Sequence, residues 1–336
     1  MNGDPPSSAG KARPLTRNRC YRKGILTDEG FSLAEVSVHL EDDAAVVWVD
    51  LMAPEPEELE LLAEELGLHS LAVDAAISGR QRPRFERFPC HDFITAYAVR
   101  LDHTTGELIT SEIAVFITSS ALVTVRQDDG FPIDGMVTQW ENSDIHTGGV
   151  GALLHGLLHL VVESHFEAVE ALDDQIEQLE DMLFDDRSHD RDVQRRSFAL
   201  RKSLVHLRRV VLPMREVVNS LIRRDIGLVS EQLTPHYQDV YDHILRATEW
   251  TESLRDLIGA ILETNLTIQG NRLNVITKKV TSWAAIIAVP TAITGFYGQN
   301  LPYPGFARGS GFLTSSALIV LLSTTLYLAF RRKDWL

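Results

Sequence analysis

Two stretches without a formal charge lie near the C-terminal end of the chain. From Val280 to Ala307, and again from Gly309 to Phe330, there is no Asp, Glu, Lys or Arg. A helix of about 20 apolar residues spans the hydrocarbon core of a bilayer. Lipid leaves no water to satisfy a loose backbone, so segments of this kind are confined to helices. The sequence therefore predicts two membrane helices, at about Val280–Phe296 and Phe312–Phe330. The first is interrupted by Thr281, Ser282, Thr291 and Thr294, which suits a helix that lines a pore or packs on copies of itself. The second carries Leu313, Leu318, Ile319, Val320, Leu321, Leu322, Leu326 and Leu328, and suits a lipid-facing position.

Lys278 and Lys279 precede the first segment, Arg331, Arg332 and Lys333 follow the second, and the joining loop holds only Arg308. The positive-inside rule then places both termini in the cytosol and the loop outside, at the cell (inner) membrane. Residues 1–19 are rich in Pro, Ser and Gly with scattered basic residues and no apolar core. They read as a disordered tail rather than a signal peptide.

The rest reads as soluble. Its net charge of −15 argues against nucleic acid as a partner. The two cysteines, Cys20 and Cys90, form no metal-ligand pair and read as free thiols. From about residue 20 to 150 strand and helix signals mix. Ala44–Leu51, Phe93–Val99, Ile113–Ile117 and Ala121–Val125 read as strands, the last two as a hairpin through Ser119-Ser120. Pro54–Leu66, with acids in its first turn and Gly67 past its end, reads as a helix. This is an α/β domain.

Residues 151–234 read as a helical hairpin. The segment Glu163–Asp186 is acidic, with an apolar stripe at Val162, Phe166, Val169, Leu172, Ile176, Leu179 and Leu183. A basic segment follows (Arg187, Arg191, Arg195, Arg196, Arg201, Lys202, Arg208, Arg209), so acidic and basic faces are expected to pair. No proline separates Pro235 from Pro290, and Val240, Ile244, Ala247, Leu254, Ile258, Ile261, Ile268 and Val275 keep a heptad-like seam. A helix over that stretch would be roughly 80 Å long, which takes a stalk (235–296) out of the domain and into the membrane. The seam also suggests self-association, most simply as a closed ring. The outer loop (297–311), second membrane helix (312–330) and basic tail (331–336) complete the division.

His155 and His159 lie one helical turn apart with His165 nearby, a spacing that can bind zinc; Gly156 stands where a metalloprotease has its glutamate, and packing is the ordinary reading. No phosphate-binding glycine loop and no Gly-x-Ser-x-Gly occurs, and nothing indicates an enzyme.

Where the first membrane helix ends, the chain reads Gly295-Phe296-Tyr297-Gly298-Gln299-Asn300. This resembles the CorA family of magnesium channels, whose signature at this place is Tyr-Gly-Met-Asn. The ending Arg331-Arg332-Lys333-Asp334-Trp335-Leu336 is similar to the family's basic terminus, Asp239-Val-Tyr-Asp-His243 to the start of its stalk, and Gln81-Arg82-Pro83-Arg84 to a segment before a central strand. The resemblance implies a funnel-shaped homopentamer passing Mg²⁺, with Tyr297, Gly298, Gln299 and Asn300 at the pore mouth and Asn274 and Thr277 lining the pore. It also implies gating by cytosolic Mg²⁺ held between subunits, for which Asp74 and Asp239 are the candidates. Ordinary surface acids are the competing reading of both.

Gln299 replaces the family's methionine, and the loop Leu301–Gly309 lacks acids and carries Arg308. An acid-free mouth concentrates cations less. Zn²⁺, Co²⁺ or Ni²⁺ transport, as in a ZntB-like branch, therefore stands as an alternative. A non-conducting membrane-anchored sensor or scaffold is a further one.

Overall fold

A computed structural model describes residues 15–79, 81–102, 105–141, 143–184, 190–223, 227–299, 302 and 308–336. The chain divides into two compact units, Met1–Gly259 and Ala260–Leu336, with the boundary inside one helix.

The first unit is built on a seven-stranded sheet in the order β2-β1-β3-β7-β6-β5-β4. The strands are β1 (Leu15–Arg22), β2 (Ile25–Glu29), β3 (Ala45–Met52), β4 (Arg84–Arg87), β5 (Asp92–Leu101), β6 (Leu108–Ile117) and β7 (Ala121–Arg126). Only β3 and β7 pair in parallel; every other neighbour is antiparallel. The helices are α1 (Val36–His39), α2 (Pro56–Leu66), α3 (Ser70–Ser78), α4 (Ile133–Glu141), α5 (Gly149–Phe184), α6 (Asp190–Arg223), α7 (Thr234–Tyr297) and α8 (Gly309–Arg332).

Both faces of the sheet centre are covered, which is why β3 and β7 read as near-continuous apolar runs rather than alternating ones. Val47, Val49 and Leu51 of β3 share a core with Leu59 and Leu62 of α2 and Ala72 and Ala76 of α3. Helix α5 packs on β5, with α4 against it. Helix α2 starts with a reciprocal cap between Glu55 and Glu58 and stops at Gly67, whose φ of 65° is left-handed and costs a glycine little.

The boundary expected at Arg19 falls inside β1. Leu15 to Arg22 pair in full antiparallel register with β3, from Leu15 opposite Met52 to Arg22 opposite Ala45. Backbone pairing to a buried neighbour, not apolar content, orders this segment. Residues 1–14 lie outside the described residues.

Helices α5 and α6 pack together, and the apolar stripe is the reason. Val162, Val169, Leu172, Ile176, Leu179 and Leu183 are all buried. The expected acidic-to-basic pairing is not what joins them: among the described residues, the ion pairs of α6 run from Lys202 to Glu107 (3.3 Å), from Arg208 to Glu252, and from Arg215 to Glu216 (3.1 Å). The α7 seam also has a different job over its first half. Val240, Ile244, Ala247, Leu254, Ile258 and Ile261 are already buried in one chain, while Val275 is 49% exposed. Of the seam, the later position Val275 is the one left uncovered in the single chain.

His165 of α5 is fully buried, and its Nε2–H donates to the Tyr97 carbonyl at 2.6 Å. Burial pushes its pKa down to about 4. The unfolded chain, with histidine near 6.5, thus binds more protons than the folded one below pH 6.5. Stability is full above that pH and is lost as pH falls toward 4, by on the order of 3 kcal/mol from this group. Melting curves of the full chain should shift down between pH 7 and pH 5, and His165→Gln should flatten that slope. An unchanged slope in the variant would show that other groups govern it.

Candidate functional site

In the second unit, the part of α7 beyond Ala260 and the whole of α8 are long and apolar enough to cross a membrane. Helix α8 exposes Phe312, Leu313, Val320, Leu321 and Leu328, as a lipid-facing helix does.

The membrane end of α7 is two-sided. Asn274, Thr277, Thr281, Ala284, Ala288, Thr291, Gly295 and Gly298 recur at spacings of 3 and 4 and so line one face of the helix. All are exposed in the single chain, and all are small or polar. Ile276, Val280, Trp283 and Ile287 recur in the same way on another face, with 52–64% exposure. A helix with bulk on one side and small polar groups on another presents the second to a polar space or a close-packed copy. The hydroxyls are partly satisfied within the helix: Thr291 Oγ1–H donates to the Ile287 carbonyl (3.0 Å) and Thr294 Oγ1–H to that of Thr291 (3.1 Å). Their oxygens remain acceptors. Pro290, inside the helix, cannot donate to the carbonyl of Ile286.

At the C-terminal end, the Gly298 N–H still donates to the Thr294 carbonyl (2.8 Å) and the Gln299 N–H to that of Phe296 (3.3 Å). A Cβ on residue 298 would stand 3.0 Å from the Thr294 carbonyl oxygen, so glycine permits this tight ending. Tyr297 is the last helical residue and its ring lies 5.7 Å from that of Phe296. Asn300 and most of the loop after it lie outside the described residues.

Of the sequence-derived positions, Asn274 and Thr277 fall on this α7 face, and Gly298 stands just past the end of the helix, its N–H still bonded to the Thr294 carbonyl. Sequence reading placed Asn274 and Thr277 in the pore and noted the hydroxyls of Thr281, Ser282, Thr291 and Thr294; the helix joins Thr281 and Thr291 to Asn274 and Thr277 through Ala284, Ala288 and Gly295, and leaves the buried Ser282 off that face. Asp74 is exposed on α3. Asp239, with 63% of its side chain exposed on the first turns of α7, pairs at 3.8 Å with His243 on its own helix.

A family model described as the CorA-like Mg²⁺ transporter protein matches residues 43–332. The chain belongs to that family. It is a membrane protein and a CorA-like divalent-cation transporter, and the family's members are ion transporters rather than enzymes. The cobalt/magnesium transport protein CorA of Thermotoga maritima is 25% identical over 299 residues, covering 88% of this chain and 85% of the relative. The zinc transport protein ZntB of Yersinia pseudotuberculosis is 25% identical over 298 residues, 86% of this chain and 88% of the relative. The complete structure of the CorA magnesium transporter from Methanocaldococcus jannaschii shares the fold, with a TM-score of 0.81 at 23% identity over 96% of this chain and 99% of that one.

Proposed function

We propose that this transporter carries Mg²⁺ into the cell through a homopentameric ring in the inner membrane, with both termini cytosolic. The observation that carries this reading is the small, polar strip of α7 from Asn274 to Gly298. Five such strips facing one axis make a narrow path of amide, hydroxyl and glycine backbone. Mg²⁺ gives up its waters reluctantly, and acceptors of this kind hold it with its hydration shell in place. Tyr297, Gly298, Gln299 and Asn300 form the mouth, and Asn274 and Thr277 the cytosolic end of the path. Lys278, Lys279, Arg331, Arg332 and Lys333 support the orientation.

Cytosolic Mg²⁺ gates the ring in this reading. Asp74 and Asp239, both exposed in one chain, would meet across neighbouring subunits. Facing carboxylates repel until a divalent ion bridges them, so an empty site loosens the ring and shifts it toward open states.

A second reading changes the ion. Gln299 in place of methionine and the acid-free stretch Leu301–Ala307 with Arg308 favour Zn²⁺, Co²⁺ or Ni²⁺, and a zinc transporter stands among the relatives. Flux into liposomes separates the two. Mg²⁺ entry that excess Zn²⁺ blocks only weakly supports the first; Zn²⁺ entry without Mg²⁺ entry supports the second. No flux of any divalent ion would leave a non-conducting sensor. A dimeric mass in detergent would overturn the pore.

A further inference from the structure

Two surface stripes of opposite charge run along α5 and α6, and neither is matched within the chain. On α5, Glu163, Glu167, Glu170, Asp174, Glu177 and Asp181 recur at spacings of 4, 3, 4, 3 and 4, and all are exposed. On α6, Arg191, Arg195, Phe198, Lys202, Val205 and Arg209 recur at the same spacings, and all are exposed too. Each stripe is about 27 Å long at 1.5 Å per residue. Among the described residues the acids pair only through Glu163, with His159 of their own helix (4.0 Å). The basic stripe pairs only through Lys202, with Glu107 (3.3 Å).

The hairpin cannot match these stripes internally. At about 100° per residue, each lies opposite the buried face of its own helix. That face is Val169, Leu172 and Ile176 on α5 and Leu200, Leu204 and Leu207 on α6. A solvated charged face would account for the acids alone. It does not account for Phe198, which stands 72% exposed among arginines and lysine. Phe198, Val205, Lys202 and Arg209 line an open groove of about 660 Å³. An aromatic anchor ringed by charge is the anatomy of a contact surface.

We propose that the acidic stripe of α5 docks on the basic, Phe198-bearing groove of α6 in the next copy of this chain. The occupant is a second copy because the chain itself carries the matching stripe, with the same spacing and the opposite sign. A contact of α6 with α6, or of α5 with α5, would set like charges face to face. A contact of α5 on α6 sets opposite charges together and repeats from copy to copy, and such a head-to-tail contact is the kind that closes into a ring. The inference rests on the ring reading above and names the soluble surface that would hold neighbours in register. Exposed charge pairs add little stability one by one; arranged as stripes they fix which surfaces meet.

The test is cross-linking of the full chain in detergent, in a Cys90→Ser background that leaves only the buried Cys20. Two differently tagged copies are co-expressed, one with Glu170→Cys and the other with Lys202→Cys, both near the middle of their stripes. A short bismaleimide should give a product carrying both tags. Glu60→Cys on α2, also exposed, should give none when it replaces Glu170→Cys. Reversing Glu167, Glu170 and Glu177 to Lys should raise the concentration at which the assembly dissociates by about tenfold or more. Adding Arg195→Glu, Lys202→Glu and Arg209→Glu to the same chain should restore it. An assembly of unchanged mass that gives no two-tag product, or that tolerates the reversal, overturns the contact and leaves the ring standing. A wild-type chain that stays single in detergent overturns both.

Discussion

Asp50→Ala should destabilise the soluble unit by about 3–5 kcal/mol, the usual effect of stripping one partner from a buried ion pair. Asp50 is 0% exposed and Arg126 5%, by side chain. The pair is bidentate: Arg126 Nε–H donates to Oδ1 at 3.0 Å and Nη2–H to Oδ2 at 2.6 Å. Thr124 Oγ1–H donates to the same Oδ1 at 2.7 Å, and Arg126 Nη1–H to the Phe131 carbonyl at 3.1 Å. Alanine would leave a guanidinium charge sealed between β7 and the segment leading into α4, with no water to solvate it. Asp50→Leu combined with Arg126→Met should recover much of the loss, because the pair itself contributes little net stability against a well-packed apolar substitute. The exposed pair Lys202–Glu107 is the control; Glu107→Gln should cost about 0–1 kcal/mol. Urea unfolding followed by the fluorescence of buried Trp48 would measure all three, and a loss below about 1 kcal/mol for Asp50→Ala would refute the argument.

That pair also marks where sequence reading stops. Asp50 sits in the run Ala44–Leu51 and looks like the polar end of an apolar strand. Its partner lies on β7, and the two meet because β3 and β7 pair in parallel, with Asp50 opposite Thr124 and Met52 opposite Arg126. No local pattern announces such a non-local register. The strands that were legible, β3, β5, β6 and β7, are those buried on both faces, where apolar runs are obligatory. The missed ones are at or near the edges: β2 is exposed throughout and β4 reads Arg-Phe-Glu-Arg. Strand conformation there is imposed by the neighbour, which intrinsic preference does not report.

The membrane end was more legible, because lipid imposes a stronger rule than water does. Charge-free length alone located α7 and α8, and the hydroxyls pointed to an unequal division of labour. What the sequence mixed together, the helix separates. Thr281 and Thr291 belong to the strip that includes Asn274 and Gly298, whereas Ser282 is 1% exposed and lies off it. The heptad seam was legible as a pattern but not as a function, since its first half is covered by the chain's own helices rather than by a copy.

Asn300→Ala should reduce Mg²⁺ flux in liposomes by about 60-fold or more, on the proposed reading of the mouth. A hydrated Mg²⁺ presents water O–H donors, and a side-chain amide oxygen accepts them without displacing the water. Alanine offers no acceptor. Five amides, each contributing only about 0.5 kcal/mol net, together account for about 2.5 kcal/mol of binding at the entrance. No carboxylate in Leu301–Ala307 can substitute for them, and Arg308 repels the ion. This chain should therefore depend on Asn300 more heavily than a transporter with an acidic loop would. Gln299→Met separates the mouth's two roles. It leaves the acceptor ring in place, so Mg²⁺ flux should persist while competition by Zn²⁺ changes if Gln299 tunes the ion. Arg308→Glu should raise flux at low ionic strength and lose that advantage in high salt, because the added field is screened. Undiminished flux in Asn300→Ala would remove the loop from the transport path and leave the α7 strip to carry selectivity alone.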